Sequence, residues 1–315
     1  MKIIGNALLI STLLFLISCE KSAEPAIEKS IEMAITFDDL PASSLASIEK
    51  MASALKQHQV PSPYGFVNGS YIYKRGVDST AKLAILDYWL QQGFLLGNHS
   101  FNHVAIKRQK SLADAQKNSQ MNEQVLAQVE RYNNRTQKDD LIYRYTFLDE
   151  GFNSEVGTDF RNYLTTAGYK IAHVSINPAD WVWAEKYQAC RQKGDTAAMS
   201  GLKSAFISYT LDVLKSRQEA SQMLLQREIK HILLLHFNEF TADVLEPLLA
   251  ALSQAGVKFI SLDEAMGDPL YQQYQQQILP KQSDILNKLA LMQRQYNFST
   301  PTRPQLPENF SQLCI

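Results

Sequence analysis

A cationic surplus is the first thing this chain lacks: 31 Lys and Arg are met by 32 Asp and Glu, for a net charge of -1. Affinity for nucleic acid comes from an excess of cations set against phosphates, so no nucleic-acid partner is expected. Long apolar runs are missing too. Beyond the N-terminus none reaches the roughly 20 residues that a membrane-crossing helix needs, so no further span is expected there. Cysteine is scarce at three and histidine at six, which makes the positions of both informative. No internal repeat is visible. Set against these absences, 45% of the 315 residues are hydrophobic, enough for one large domain, or two small ones, with a substantial core.

The N-terminus carries the longest apolar run. Lys2 supplies a positive start, residues 7–17 an apolar stretch, and Leu16-Ile17-Ser18-Cys19 its close. This resembles a bacterial lipoprotein signal, in which a small residue precedes a lipidated cysteine. The resemblance implies removal of residues 1–18 and a lipid anchor on Cys19, holding the protein at the cell envelope and facing the periplasm. Residues 19–30, charged and Ala-rich, read as a tether. Cys190 and Cys314 remain. In an oxidising compartment they can form a disulfide tying the C-terminal tail to the body. Two free thiols are an equal alternative, because sequence does not fix their distance.

Between residues 31 and 268, short apolar runs alternate with helical periodicity about seven times. Strand candidates are 33–37, 64–67, 93–98, 141–143, 170–176, 230–235 and 258–260. Helical spacing marks 44–57, 79–92, 111–132, 155–167, 197–227 and 244–254. Such alternation predicts an α/β fold with parallel strands and outer helices. Seven units over about 240 residues favour a distorted TIM-like (β/α)7 barrel. After Pro269 the chain turns Gln-rich and then Pro-rich, so 269–315 reads as a polar C-terminal extension with a helix over 283–295.

Polar residues follow several of the apolar runs: Asp38-Asp39, His99, Arg144, Asp180 and His236. A barrel would gather them on one rim. Neighbours at a strand end face opposite ways, so Asp38 and Asp39 are expected to take different tasks. His99-Ser100-Phe101-Asn102-His103 sets two imidazoles at i and i+4, which share a face if the stretch is a helical turn. With Asp39 as a third ligand, two imidazoles and one carboxylate leave open positions, as a catalytic metal site does. Zn²⁺ is the default ion, with other divalent first-row metals open.

Thr36-Phe37-Asp38-Asp39 followed by His99-Ser-Phe-Asn-His103 resembles the polysaccharide deacetylases, carbohydrate esterase family 4, with its NodB-homology domain. Leu40 stands where that family usually has Gly. Three more motifs follow in the family's order. Arg144-Tyr145-Thr146-Phe147-Leu148 stands for Arg-x-Pro-Tyr-Gly, with Pro, Tyr and Gly all replaced. Asn177-Pro178-Ala179-Asp180-Trp181 stands for Asp-x-x-Asp-Trp, its first acid amidated. Leu234-Leu235-His236 matches Leu-x-His.

The resemblance implies a metal-dependent hydrolase that removes acetyl groups from an N- or O-acetylated envelope glycan or chitooligosaccharide. Asp39, His99 and His103 would hold the metal, Asp38 would be the general base and His236 the general acid. Arg144 would brace Asp38 through a bidentate pair, and the N–H of Phe147 would help hold the oxyanion. Trp181 stacks on a sugar face or packs in the core. Asn177 can orient the acid imidazole but stabilises its charge poorly, so a lower pKa follows unless Asp180 or Glu239 substitutes. Two other readings fit the same barrel: an amide hydrolase acting on a non-sugar amide, and a non-catalytic glycan-binding lipoprotein.

Overall fold

A ten-residue strand, β1 (Ile31–Leu40), runs through the middle of the protein. Its alternating side chains divide the interior in two. Met33, Ile35 and Phe37 enter an outer apolar layer, whereas Ala34 enters an inner one. Thr36 and Asp38 continue the inner row, which is how a strand of apolar residues delivers polar groups to a barrel mouth.

The computed structural model describes residues 30–134, 141–293, 304–308 and 310–314. The signal, Cys19 and nearly all of the tether lie outside the described residues. The other strands are β2 (Tyr64–Val67), β3 (Leu95–Asn98), β4 (Leu141–Tyr143), β5 (Tyr169–Ile171), β6 (His231–His236) and β7 (Val257–Phe259). Their order is β5-β4-β3-β2-β1-β6, with β7 paired to the first residues of β1, and every pairing is parallel. A single bridge between Ile176 and Leu233 joins the chain after β5 to β6 and closes the ring. This is the expected α/β architecture, a distorted (β/α)7 barrel, and its weakest seam lies between β5 and β6. Within the sheet, Gly97 lets Phe66 lie across β3, since a Cβ there would meet that ring at 2.4 Å.

Outside the sheet lie α1 (Leu45–Gln57), α2 (Ser79–Gln91), α3 (Leu112–Leu126), α4 (Glu130–Asn133), α5 (Glu155–Thr166), α6 (Asp180–Gln192), α7 (Thr196–Leu225) and α8 (Glu239–Gln254). Six of these start at a Ser, Asp or Asn whose side chain accepts a first-turn N–H: Ser44, Asp78, Ser111, Ser154, Asp195 and Asn238. The period seen over 111–132 breaks into α3 and α4, and 197–227 holds one helix of 30 residues. None of the described helices is long and apolar enough to cross a membrane. The outer layer buries Trp89, Trp183, Phe206 and Phe240, each contributing about 1.5–3 kcal/mol on removal from water. Trp183 is therefore core, packed against Phe206, Tyr209 and Phe310.

Three short helices follow β7: α9 (Leu262–Met266), α10 (Pro269–Gln273) and α11 (Ile285–Gln293). Apolar residues of these helices and of the chain between them, among them Leu270, Tyr271, Leu279, Ile285 and Leu289, join Ala34, Phe66, Ile142 and Ile232 in the inner layer. Between α10 and α11 the polar residues line β5. Gln275 accepts from the Ile171 N–H at 2.7 Å and donates to its carbonyl at 3.1 Å. Cys190 of α6 and Cys314 are joined as a disulfide, with Cα atoms 5.0 Å apart, which decides between the two alternatives left by the sequence.

Candidate active site

The carboxyl end of β1 does not stay regular. Its register against β2 shifts between Phe37 and Leu40, and Asp39 has φ 70. A bulge of this kind re-aims a side chain. Asp38 and Asp39 therefore line one cavity instead of facing apart as strand alternation would have them.

Asp38 is almost fully buried. Its Oδ1 accepts from Arg144 Nη1 at 3.1 Å, and its Oδ2 lies 3.6 Å from His99 Nε2. Arg144, wholly buried after β4, spreads its other donors: Nε to the Ala172 carbonyl at 2.6 Å and Nη2 to Thr36 Oγ1 at 3.2 Å. The bidentate pair is thus replaced by one bond to Asp38 and one to Thr36, because the guanidinium fork is shared among three acceptors. The Arg144 guanidinium also lies 4.4 Å above the Phe66 ring. Burial lowers the Arg144 pKa, and the Asp38 carboxylate works against that.

His99 and His103 do not sit on a helical turn. They flank a loop in which Ser100 and His103 have φ 66 and 52, and the two rings come within 5.3 Å. Asn98 shapes this loop: its Oδ1 accepts from the Ser100 N–H at 2.9 Å and from Asn122 at 3.0 Å. The Nδ1–H of buried His99 donates to the Arg144 carbonyl at 2.8 Å, which leaves the Nε2 lone pair for the cavity. His103 Nε2 lies 3.2 Å from Asp39 Oδ1. Burial pulls the His103 pKa down despite the opposing Asp39 charge, favouring the neutral imidazole that a ligand must be.

These three residues fit a metal ion. Their ligand atoms all lie within 4.8 Å of one another. Asp39 Oδ1 is buried with no hydrogen-bond partner among the described residues, which otherwise costs free energy. Lone pairs converging at this range, from two imidazoles and one carboxylate, suit a divalent cation.

Across the same cavity stands His236, at the end of β6. Its Nδ1–H donates to Asp180 Oδ1 at 2.7 Å, and its backbone N–H donates to Asp180 Oδ2 at 2.8 Å. Asp180 lies fully buried in the first turn of α6, where the helix dipole favours a carboxylate. Thr241 Oγ1 and Asn238 Nδ2 complete its shell at 2.8 and 3.2 Å. Burial alone would depress the His236 pKa. Asp180, through charge and hydrogen bond, reverses this with help from Asp39 and Asp38, and the imidazole is raised to about 9. Of the two substitutes considered for the amidated acid, the one in place is Asp180. Glu239 pairs with Arg191, and the Asn177 side chain accepts from the Ala179 N–H at 2.9 Å.

The cavity holds about 460 Å³, within the range of ligand pockets. Two half-exposed aromatics line it. Phe147, at φ 56, packs at a tilt against the His103 ring with centroids 4.5 Å apart, and Trp181 lines both this cavity and a neighbouring groove of about 590 Å³. The site also uses residues to which the motifs gave no role: Thr36, Asn98, Asn122, Asn238 and Thr241. Thr36 was within reach, being the polar residue two before Asp38 on one strand face.

Residues 27–172 match the family model for polysaccharide deacetylase, which identifies a domain of that family over this part of the chain. No curated protein matches it. Among solved structures, a T48 deacetylase with substrate is 16% identical over 75% of this chain and 91% of its own, with a TM-score of 0.48. A family 4 carbohydrate esterase from Streptomyces lividans in complex with acetate is 16% identical over 75% and 96%, with a TM-score of 0.47. A CE4 family pseudoenzyme from Bacillus anthracis is 16% identical over 76% and 66%, with a TM-score of 0.48. Likenesses this remote carry no chemistry over, which is read from the side chains of this chain alone.

Proposed function

We propose that this protein is a zinc-dependent deacetylase of an N-acetylated envelope glycan, held at the membrane by lipid on Cys19 and facing the periplasm. One observation carries the catalytic reading: a charged His236–Asp180 pair stands across one cavity from Asp38 and from the Asp39, His99 and His103 cluster. The Cys190–Cys314 disulfide supports an oxidising compartment.

When bound by Asp39, His99 and His103, zinc supplies polarisation of the acetyl carbonyl and a lowered pKa for water. Asp38 takes the proton of the attacking water on a carboxylate oxygen, while Arg144, itself held by Thr36, keeps it oriented. The N–H of Phe147 receives the negative charge developing on the acetyl oxygen. His236 gives its Nε2 proton to the departing sugar nitrogen, and Asp180 holds the ring on the other side. An amine leaves far more readily once protonated, so an imidazole that stays charged through neutral pH suits an amide better than an ester. Trp181 and Phe147 offer flat faces to sugar rings.

Acetate release from N-acetylated chitooligosaccharides and from peptidoglycan tests the reading, with zinc added and then chelated. Activity that disappears in Asp38→Asn and on chelation is expected; an inert wild-type protein with zinc bound sinks it. Palmitate labelling lost in Cys19→Ser checks the anchor.

A further inference from the structure

The turn that presents Phe147 is held in part from outside the motif-bearing part of the chain. Phe147 and Leu148 have φ 56 and 55, a left-handed conformation that side chains other than glycine resist. Leu148 stands where the resemblance places glycine, so its side chain resists the turn, which is held locally by the Leu148 N–H donating to the Tyr145 carbonyl at 3.0 Å and by Thr146 Oγ1 donating to the Val104 carbonyl at 2.9 Å. A further restraint comes from α11. Buried Lys288 donates from Nζ to the Leu148 carbonyl at 3.0 Å and also to Glu150. Glu150, equally buried, accepts from Arg161 and from the Leu279 N–H at 3.1 Å. Arg161 in turn donates to the Tyr145 hydroxyl at 3.0 Å and to the carbonyls of Tyr274 and Gln275 at 3.2 and 2.8 Å. Residues 274–288 thus meet one side of the turn directly, through Lys288, and the other through Arg161. Gln282, from the same segment, lines the catalytic cavity.

We propose that Lys288 is a positioning residue for deacetylation: it pins the 146–148 turn so that the Phe147 N–H meets the charge developing on the acetyl oxygen. The proposal rests on the deacetylase reading above. An N–H placed for the transition state alone lowers kcat when it drifts and leaves substrate binding unchanged. Glycine takes a left-handed conformation freely, so it should replace part of what the lysine does.

The test uses the full chain with zinc. In Lys288→Met, kcat for acetate release is expected to fall about 10- to 100-fold, the order seen when one oxyanion donor is lost. KM, zinc affinity and the alkaline limb of the pH profile stay as in wild type. Amide exchange of residues 146–150 speeds at least about tenfold as the turn opens more often. Lys288→Arg keeps most of kcat. Leu148→Gly placed on Lys288→Met recovers kcat at least about threefold, which repair of a general loss of stability would not do. Wild-type kcat and exchange in folded Lys288→Met overturn the proposal, as does a kcat loss that follows the melting temperature and ignores Leu148→Gly. Should Lys288→Met not fold, Lys288→Gln, which keeps a neutral donor, is expected to give intermediate kcat and exchange, and wild-type values for both overturn it. If wild type releases no acetate, the deacetylase reading fails on its own, and exchange at 146–150 still decides whether Lys288 pins the turn.

Discussion

Asp180→Asn keeps the shape of this side chain and removes its charge. In the wild-type protein the His236 pKa is about 9 against an ordinary 6.5, a gap corresponding to about 3 kcal/mol of preference for the charged ring. Asparagine leaves the burial in place and takes away the main counter-charge, so the pKa should return to about 6.5 or below. At pH 8 the charged fraction then drops from about nine-tenths to about 3%, a loss of roughly 30-fold in kcat/KM. The alkaline limb of kcat/KM moves down by more than about two pH units. Stability follows with a defined sign. A folded pKa above the unfolded one contributes stability in full below about 6.5 and loses it as pH rises through about 9. Urea denaturation of metal-free wild type should therefore lose on the order of 3 kcal/mol between these limits, while Asp180→Asn stays nearly flat. Coincident alkaline limbs in the two proteins would refute the assignment of His236 as the acid that Asp180 charges.

Arg144→Met strands the buried Asp38 carboxylate: a stability loss of about 3–5 kcal/mol by denaturant titration is expected, with activity falling below one-hundredth. Cys190 and Cys314 close a loop of 124 residues, so reduction, or Cys314→Ser, should lower unfolding free energy by about 4–5 kcal/mol; an unchanged denaturation midpoint with reductant counts against the bond. Zinc at 100 times its dissociation constant should stabilise the protein by about 2.7 kcal/mol, read as a rise in melting temperature. That rise should vanish in His103→Ala, which removes one of the three converging ligands.

The alternating strands and helices were legible because short-range periodicity reports which face of each element is apolar. That sufficed for the barrel and for placing Asp38, His99, Arg144 and His236 at strand ends. It did not extend to the bulge at Asp39 or the left-handed residues between His99 and His103, which depend on packing from other strands. Nor does periodicity name the partner of a buried charge. Arg144 divides its fork between Asp38 and Thr36, and Asp180 rather than a residue at position 177 meets His236, because distant backbone brings those atoms together. The stretch after Pro269 looked merely polar. Its signal was there all the same: Lys288 falls on the face that buries Ile285 and Leu289, and a cation at such a position needs a partner. That partner, Glu150, lies 138 positions away.

The order of synthesis gives this connection a further meaning. Each proposed metal ligand, base and acid precedes residue 237, yet Lys288, which holds the Leu148 carbonyl of the Phe147 turn, belongs to α11. A growing chain thus carries all of these proposed catalytic residues before Lys288 is there to meet the Leu148 carbonyl. On the proposed role of Lys288, competence would come only when α11 docks and Lys288 reaches Leu148. A polypeptide cut short after β7 would own the chemistry and lack the posture to use it.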